Sequence, residues 1–209
     1  MRLKNVKGAK EKIEKSKYII NNPYEYKGKY KNLFNNNNPI YIEIGMGKGK
    51  FIIENALKYP NINYIGIEKY DSVLVRACET LENTDIPNLK LIRIDALNID
   101  NIYEKEIELI YLNFSDPWPK DRHSKRRLTH QNFLEKYDKI FKNSKKIIMK
   151  TDNKTLFEFT LKSLTDYGYK IEELNLDLYS NLPEDNIQTE YEEKFSKKGL
   201  IIYKGIFKK

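Results

Sequence analysis

Short apolar runs alternate with amphipathic stretches along most of this chain, and the alternation predicts a β-α-β order. Ile40–Ile44, Asn63–Glu68, Leu89–Ile94, Leu109–Phe114 and Ile147–Thr151 are brief runs dense in large apolar residues, as expected of strands covered on both faces. The stretches between several of them carry apolar residues at helical spacing: Phe51, Ile52, Ala56 and Leu57, then Val73, Leu74, Ala77 and Leu81. Two further faces follow, Phe133, Leu134, Tyr137, Ile140 and Phe141, capped by Thr129, and Leu156, Phe157, Thr160 and Leu164 within Asn153–Thr165. Tyr169–Leu174 and Leu200–Phe207 read as two last strands joined by a Glu-rich polar loop, which predicts a hairpin at one sheet edge. The expected fold class is therefore α/β, a Rossmann-like, mostly parallel sheet with helices on both faces. Ligands of such sheets bind at the carboxyl ends of the strands.

Ahead of this pattern, Met1–Phe34 holds ten Lys and Arg against three Glu and lacks a strong apolar period. A basic helix over Ala9–Ile20 is expected there, the rest irregular, with Asn35–Asn38 and Pro39 as a boundary loop. The chain divides into a basic extension, 1–38, partly helical or flexible, and one main domain, 39–209. A length of 209 residues suits that division.

Charge changes the picture modestly. A net charge of +8 favours a polyanionic partner, but Lys, Asn and Ile are frequent throughout, so the position of the cations says more than their number. Cys78 is the only cysteine, which excludes an intrachain disulfide and suits a reducing compartment. No apolar run approaches the roughly 18 residues of a membrane span. With only His123 and His130 and no ligand spacing, no metal site is expected. The expectation is a soluble, cytoplasmic protein with no membrane partner; monomer and homodimer both stay open.

The strand ends carry the chemistry. Glu43-Ile-Gly-Met-Gly-Lys-Gly49 joins a strand to a helix, where glycines admit a ligand close to the backbone. The dinucleotide pattern fails, because Lys50 occupies its third glycine site. Glu43 would repel a pyrophosphate but tolerates a cationic or zwitterionic ligand such as S-adenosylmethionine. An ordinary glycine turn is the alternative. Glu68, at the next strand end, can accept from both hydroxyls of a ribose. Asp95, after the third, can receive an adenine amino group or simply cap a turn.

Asp116-Pro117-Trp118-Pro119 follows the fourth strand, an acid in a loop stiffened by two prolines. Trp118 could stack on a base or pack. Lys120, Arg122, Lys125, Arg126 and Arg127 then place five cations within eight residues, and Arg122–Arg127 reads as a phosphate-binding run. Asp152 ends the fifth strand, as a ligand contact or an N-cap. In Thr189-Glu190-Tyr191-Glu192 a carboxylate could match the N1 and N2 donors of guanine, or the segment could be a solvated turn.

Together, Glu43-Ile-Gly-Met-Gly, Asp116-Pro-Trp-Pro-Lys120, Arg122-His-Ser-Lys-Arg-Arg127 and Thr189-Glu-Tyr-Glu192 resemble the bacterial tRNA (guanine-N7)-methyltransferases, from about Ile40 to the C-terminus. The resemblance implies a class I methyltransferase fold of seven strands with the last antiparallel. It implies S-adenosylmethionine contacts at Glu43, Gly45, Glu68, Asp95 and Asp116, with Asp116 catalytic. It implies substrate contacts at Lys120, Asp152, Thr189, Glu190, Tyr191 and Glu192, and RNA contacts at Arg122, His123, Ser124, Lys125, Arg126 and Arg127. The implied target is the variable-loop guanine of tRNA. Two rivals share these residues: methyl transfer to a protein or small amine, and RNA binding without catalysis.

Overall fold

The computed structural model describes residues 6–209, so residues 1–5 of the expected extension lie outside the described residues. One sheet contains β1 (Ile40–Ile44), β2 (Asn63–Glu68), β3 (Leu89–Arg93), β4 (Ile107–Asn113), β5 (Phe141–Thr151), β6 (Lys170–Asn175) and β7 (Tyr203–Lys208). Their spatial order is β3-β2-β1-β4-β5-β7-β6. β1 to β5 pair in parallel, and β7 runs antiparallel to both β5 and β6. The chain leaves β1 toward β2 and β3, then returns to lay β4 on the other side of β1. The order reverses there, and the ends of β1 and β4 flank the resulting crevice.

Helices cover both faces. α1 (Ala9–Lys15), α2 (Lys50–Lys58) and α3 (Asp71–Leu81) bury Ile13, Ile52, Ala56, Leu74, Ala77 and Leu81 on one side. α4 (Ile99–Ile102), α5 (Gln131–Ile140) and α6 (Lys154–Asp166) bury Ile99, Ile102, Leu134, Tyr137, Leu156 and Phe157 on the other. Complete burial of an aliphatic or aromatic side chain is worth about 1.5–3 kcal/mol, so these two layers dominate the stability. β2 is buried along its whole length, as expected of a strand covered on both faces.

Three differences from the sequence reading have physical reasons. The extension is packed on the main domain. Its helix stops at Lys15, and Tyr18 and Ile20 bond across the outer edge of β3, with Leu91 N–H donating to Tyr18 O at 2.8 Å and Ile20 N–H to Leu91 O at 2.9 Å. Tyr30 and Phe34 then reach the core of the opposite face, so the segment wraps an otherwise open edge. At α5 the cap is His130, whose Nδ1 accepts from Asn132 N–H, whereas the Thr129 hydroxyl is buried 2.8 Å from that of Thr160. The Glu-rich connection between β6 and β7 contains a helix, α7 (Glu190–Ser196), capped by the Thr189 hydroxyl. Thr189-x-x-Glu192 is the pattern of a capping box and was the available signal for that helix.

Candidate active site

The glycine loop leaves β1 between two acids. Gly45, Gly47 and Gly49 all have positive φ, a region that disfavours any side chain. A Cβ at Gly45 or Gly47 would meet nothing within 4 Å, so the loop opens onto free space there. At Gly49 it would press on Ala77 and Ile53, so that glycine serves the packing of α2 on α3. Glu68 ties the loop to the end of β2: one carboxylate oxygen accepts from Gly47 N–H at 3.2 Å, the other from Lys69 N–H at 2.8 Å and Tyr70 N–H at 3.0 Å. Burial raises the Glu68 carboxyl, and these three donors pull it back down.

Glu43 is almost wholly enclosed, 1% exposed. Its Oε1 accepts from Asn113 Nδ2 on neighbouring β4 at 2.9 Å, while among the described residues Oε2 and Asn113 Oδ1 have no hydrogen-bond partner. Burial pushes its carboxyl up to about 8, opposed by the Asn113 hydrogen bond. Two buried acceptors without donors, beside an open glycine loop, are an unfilled requirement for a donor-rich and preferably cationic ligand. The ammonium and sulfonium of S-adenosylmethionine fit that requirement. Asp95 is half-exposed; it accepts from Leu97 N–H at 3.0 Å and pairs with Lys69 at 3.6 Å, so its capping role is realised here.

Beyond β4 the chain enters a strained loop. Phe114 and Trp118 have φ of 49° and 43°, positions costing about 1–3 kcal/mol each for ordinary side chains. Asp116 lies between them, exposed. Lys120 begins a short 3-10 segment, Asp121–Arg126, on which Lys120, Arg122, Lys125 and Arg126 face solvent and His123 and Ser124 are half-buried. Among the described residues these four cations form no ion pair within 4.0 Å. The Arg126 guanidinium lies 4.8 Å over the Trp118 ring, which His123 meets edge-on. Arg127, expected among the RNA contacts, is 5% exposed and turned inward, with its guanidinium bonded to main-chain carbonyls of the loop.

α7 closes the other side through two lysines, Lys150 and Lys50. Lys150, near the end of β5, is 4% exposed. Its Nζ donates to Asn186 Oδ1 at 2.6 Å, Ile187 O at 2.9 Å and Glu192 Oε2 at 3.0 Å. Burial lowers the Lys150 ammonium, and the Glu192 carboxylate holds it up. Lys50, at the start of α2, bonds Glu193 at 2.7 Å. Lys197 and Lys50 hold the Glu193 carboxyl down at about 2. The side chains of Thr189 and Glu192, expected to meet substrate, are thus engaged in building α7. In the same four-residue segment Glu190 is half-buried and Tyr191 exposed, and Tyr191 stacks on Phe114 at 6.4 Å. Asp152 is half-buried and free of capping duty, because Asn153 caps α6.

The sheet order, the glycine loop and the acids at the ends of β1 and β2 define the class: a methyltransferase of class I fold. The family model described as "Putative methyltransferase" matches residues 37–205. A tRNA (guanine-N(7)-)-methyltransferase of Geobacillus sp. (strain WCH70) is 53% identical over 206 residues, 98% of this chain and 94% of its own length. That of Lachnoclostridium phytofermentans is 50% identical over 98% of this chain and 96% of its own. The chain belongs to the bacterial tRNA (guanine-N7)-methyltransferase family. Among solved structures, a 16S rRNA (adenine(1408)-N(1))-methyltransferase from Catenulisporales acidiphilia, solved with its cosubstrate, shares the fold at a TM-score of 0.63 and 12% identity, covering 89% of this chain and 90% of that one.

Proposed function

We propose that this protein transfers a methyl group from S-adenosylmethionine to N7 of the variable-loop guanine (position 46) of tRNA. One observation carries the reading: an enclosed carboxylate, with one oxygen unpartnered among the described residues, immediately precedes an open glycine loop, and the adjacent strand leads directly to Asp116 and a solvent-facing basic run. Relatives about half identical along nearly the whole chain bear the name tRNA (guanine-N(7)-)-methyltransferase, which supports the N7 and tRNA parts of this reading.

S-adenosylmethionine, when bound, supplies a methyl group made electrophilic by its sulfonium. In this reading Glu43 and Asn113 face its ammonium end, Gly45 lets its backbone approach, Glu68 accepts from its ribose and Asp95 faces its adenine. Guanine N7 carries an in-plane lone pair and no proton, so no residue has to act as a base. Positive charge moves onto the purine as the new bond forms. Asp116 orients the two reactants and favours that charge electrostatically. Lys120 holds a phosphate or ribose next to the target, and Asp152 and Glu190 accept from the guanine N1 and N2 donors. Arg122, Lys125 and Arg126, with His123 and Ser124 beside them, meet the RNA backbone.

Among the described residues no helix is long and apolar enough to cross a membrane. A tRNA substrate and a single buried free thiol, Cys78, both suit the cytoplasm. The test is incubation of an unmodified tRNA transcript with methyl-labelled S-adenosylmethionine, followed by mapping of the labelled nucleotide. Label at the variable-loop guanine is expected. Label on free amines or protein, with none on tRNA, would replace this reading with the rival one.

A further inference from the structure

We infer that Arg127 is a positioning residue that holds the Asp116-Pro117-Trp118-Pro119 loop in its working shape, and not a contact to RNA. The kinetic side of this inference rests on the proposed tRNA reaction, and its structural side does not.

The guanidinium works as a fork. Its Nε donates to Pro117 O at 3.1 Å, and one terminal nitrogen donates to Trp118 O at 3.0 Å. Those two carbonyls bracket the backbone torsions of Trp118, whose φ is 43°. That conformation is unfavourable twice over, once because Trp carries a Cβ and once because Pro119 follows it. A strained torsion persists only where its surroundings over-determine it, and the fork fixes the peptide group on each side. The guanidinium is itself held: its face lies 4.4 Å from the Phe159 ring of α6. The chain just after Arg127 is pinned to the same helix, with Ser163 Oγ donating to Thr129 O at 2.6 Å beside the Thr129–Thr160 contact at 2.8 Å. Asp116 thereby takes its place from α6 through Phe159, Arg127 and the two carbonyls. Arg126 lies on the outer face of Trp118 and is exposed. Adjacent arginines therefore do different work, one inside the loop and one outside it.

A lysine keeps the charge but is a point donor that cannot reproduce a planar fork. Arg127→Lys and Arg127→Gln thus separate the two roles. Trp118 is the only tryptophan, so its emission reports on this loop alone. Both variants are expected to show increased acrylamide quenching of Trp118. Single-turnover methyl transfer to saturating transcript should fall by about 10–100-fold, the scale of a misplaced reacting group. The tRNA affinity and its salt dependence should not change. A phosphate contact gives the opposite pattern: Arg127→Lys behaves like wild type, and Arg127→Gln keeps its Trp118 emission while the slope of log affinity against log salt drops by about 0.7–0.9. That pattern would overturn the inference. Phe159→Leu removes no charge and leaves Arg127 in place, so it covers the case in which the Arg127 variants do not fold. It should raise quenching in the same direction, and unmoved quenching would also overturn the inference. If the tRNA reading is wrong, wild-type protein fails to label the transcript while the fluorescence comparison still stands.

Discussion

Two charged segments flank the candidate site and treat their charges in opposite ways. In the loop from Phe114 to Arg127, four cations face solvent without ion pairs among the described residues, and the backbone is strained at two positions. In the segment from Asn186 to Lys197, the acids turn toward lysines of the sheet and of α2, and the backbone forms a capped helix. A long tRNA backbone needs an unengaged basic surface, whereas a small base needs a few acceptors held still. Each segment also has a member that breaks its pattern. Arg127 turns inward among outward cations, and Glu190 stays partly accessible among engaged acids.

The comparison breaks most severely if Lys150 is removed. Lys150→Met should destabilise the protein by about 3–5 kcal/mol in urea unfolding, because Glu192 is left buried and unpaired. Adding Glu192→Leu should recover much of that loss while methyl transfer stays impaired. Full activity in the double variant would show that the ion pair does not set α7 for the reaction. Next in size, Asp116→Asn should slow the chemical step by about 10²–10³-fold with tRNA and cofactor saturating. Its melting temperature should not move, because Asp116 is exposed. A wild-type chemical step would remove Asp116 from the mechanism.

A smaller effect concerns pH. The folded protein holds the Glu43 proton more tightly than the unfolded chain, with a carboxyl at about 8 against an ordinary 4.5. That group therefore contributes stability fully below its unfolded value and loses it as pH rises through about 8. A cationic ligand favours the carboxylate. Affinity for S-adenosylmethionine should thus rise with pH up to about 8, with proton release visible in calorimetry across buffers of different ionisation enthalpy. Glu43→Gln should weaken binding and abolish both signs, and an unchanged pH slope would assign the proton elsewhere. The smallest effect is at the rim of the basic loop: Lys125→Ala with Arg126→Ala should flatten the salt dependence of tRNA binding by about 0.7–0.9 per lost phosphate contact.

Much of the fold was legible because its strands are local apolar runs and its helices carry clear stripes. Ile147–Thr151 read as a strand, and β5 extends that run back to Phe141. The packed extension was not legible, since Tyr18, Ile20, Tyr30 and Phe34 are buried by contacts distant in sequence and follow no period. Within the site, Glu68 ends β2, Glu43 lies one residue before the end of β1 and Asp116 sits in the loop after β4, and those positions made them candidates from sequence. Lys150 could not be picked out, because a lysine closing an apolar strand looks like a solvated end until α7 covers it. The inward turn of Arg127 was hidden for a related reason: a charge run says nothing about which member turns inward.

The most direct measurement uses two tRNA transcripts that differ at one atom, guanine or 7-deazaguanine at the variable-loop target. The account predicts labelling of the first and none of the second, with equal binding of both, since the deaza base lacks the N7 lone pair. Equal labelling of the two would contradict N7 as the methyl acceptor.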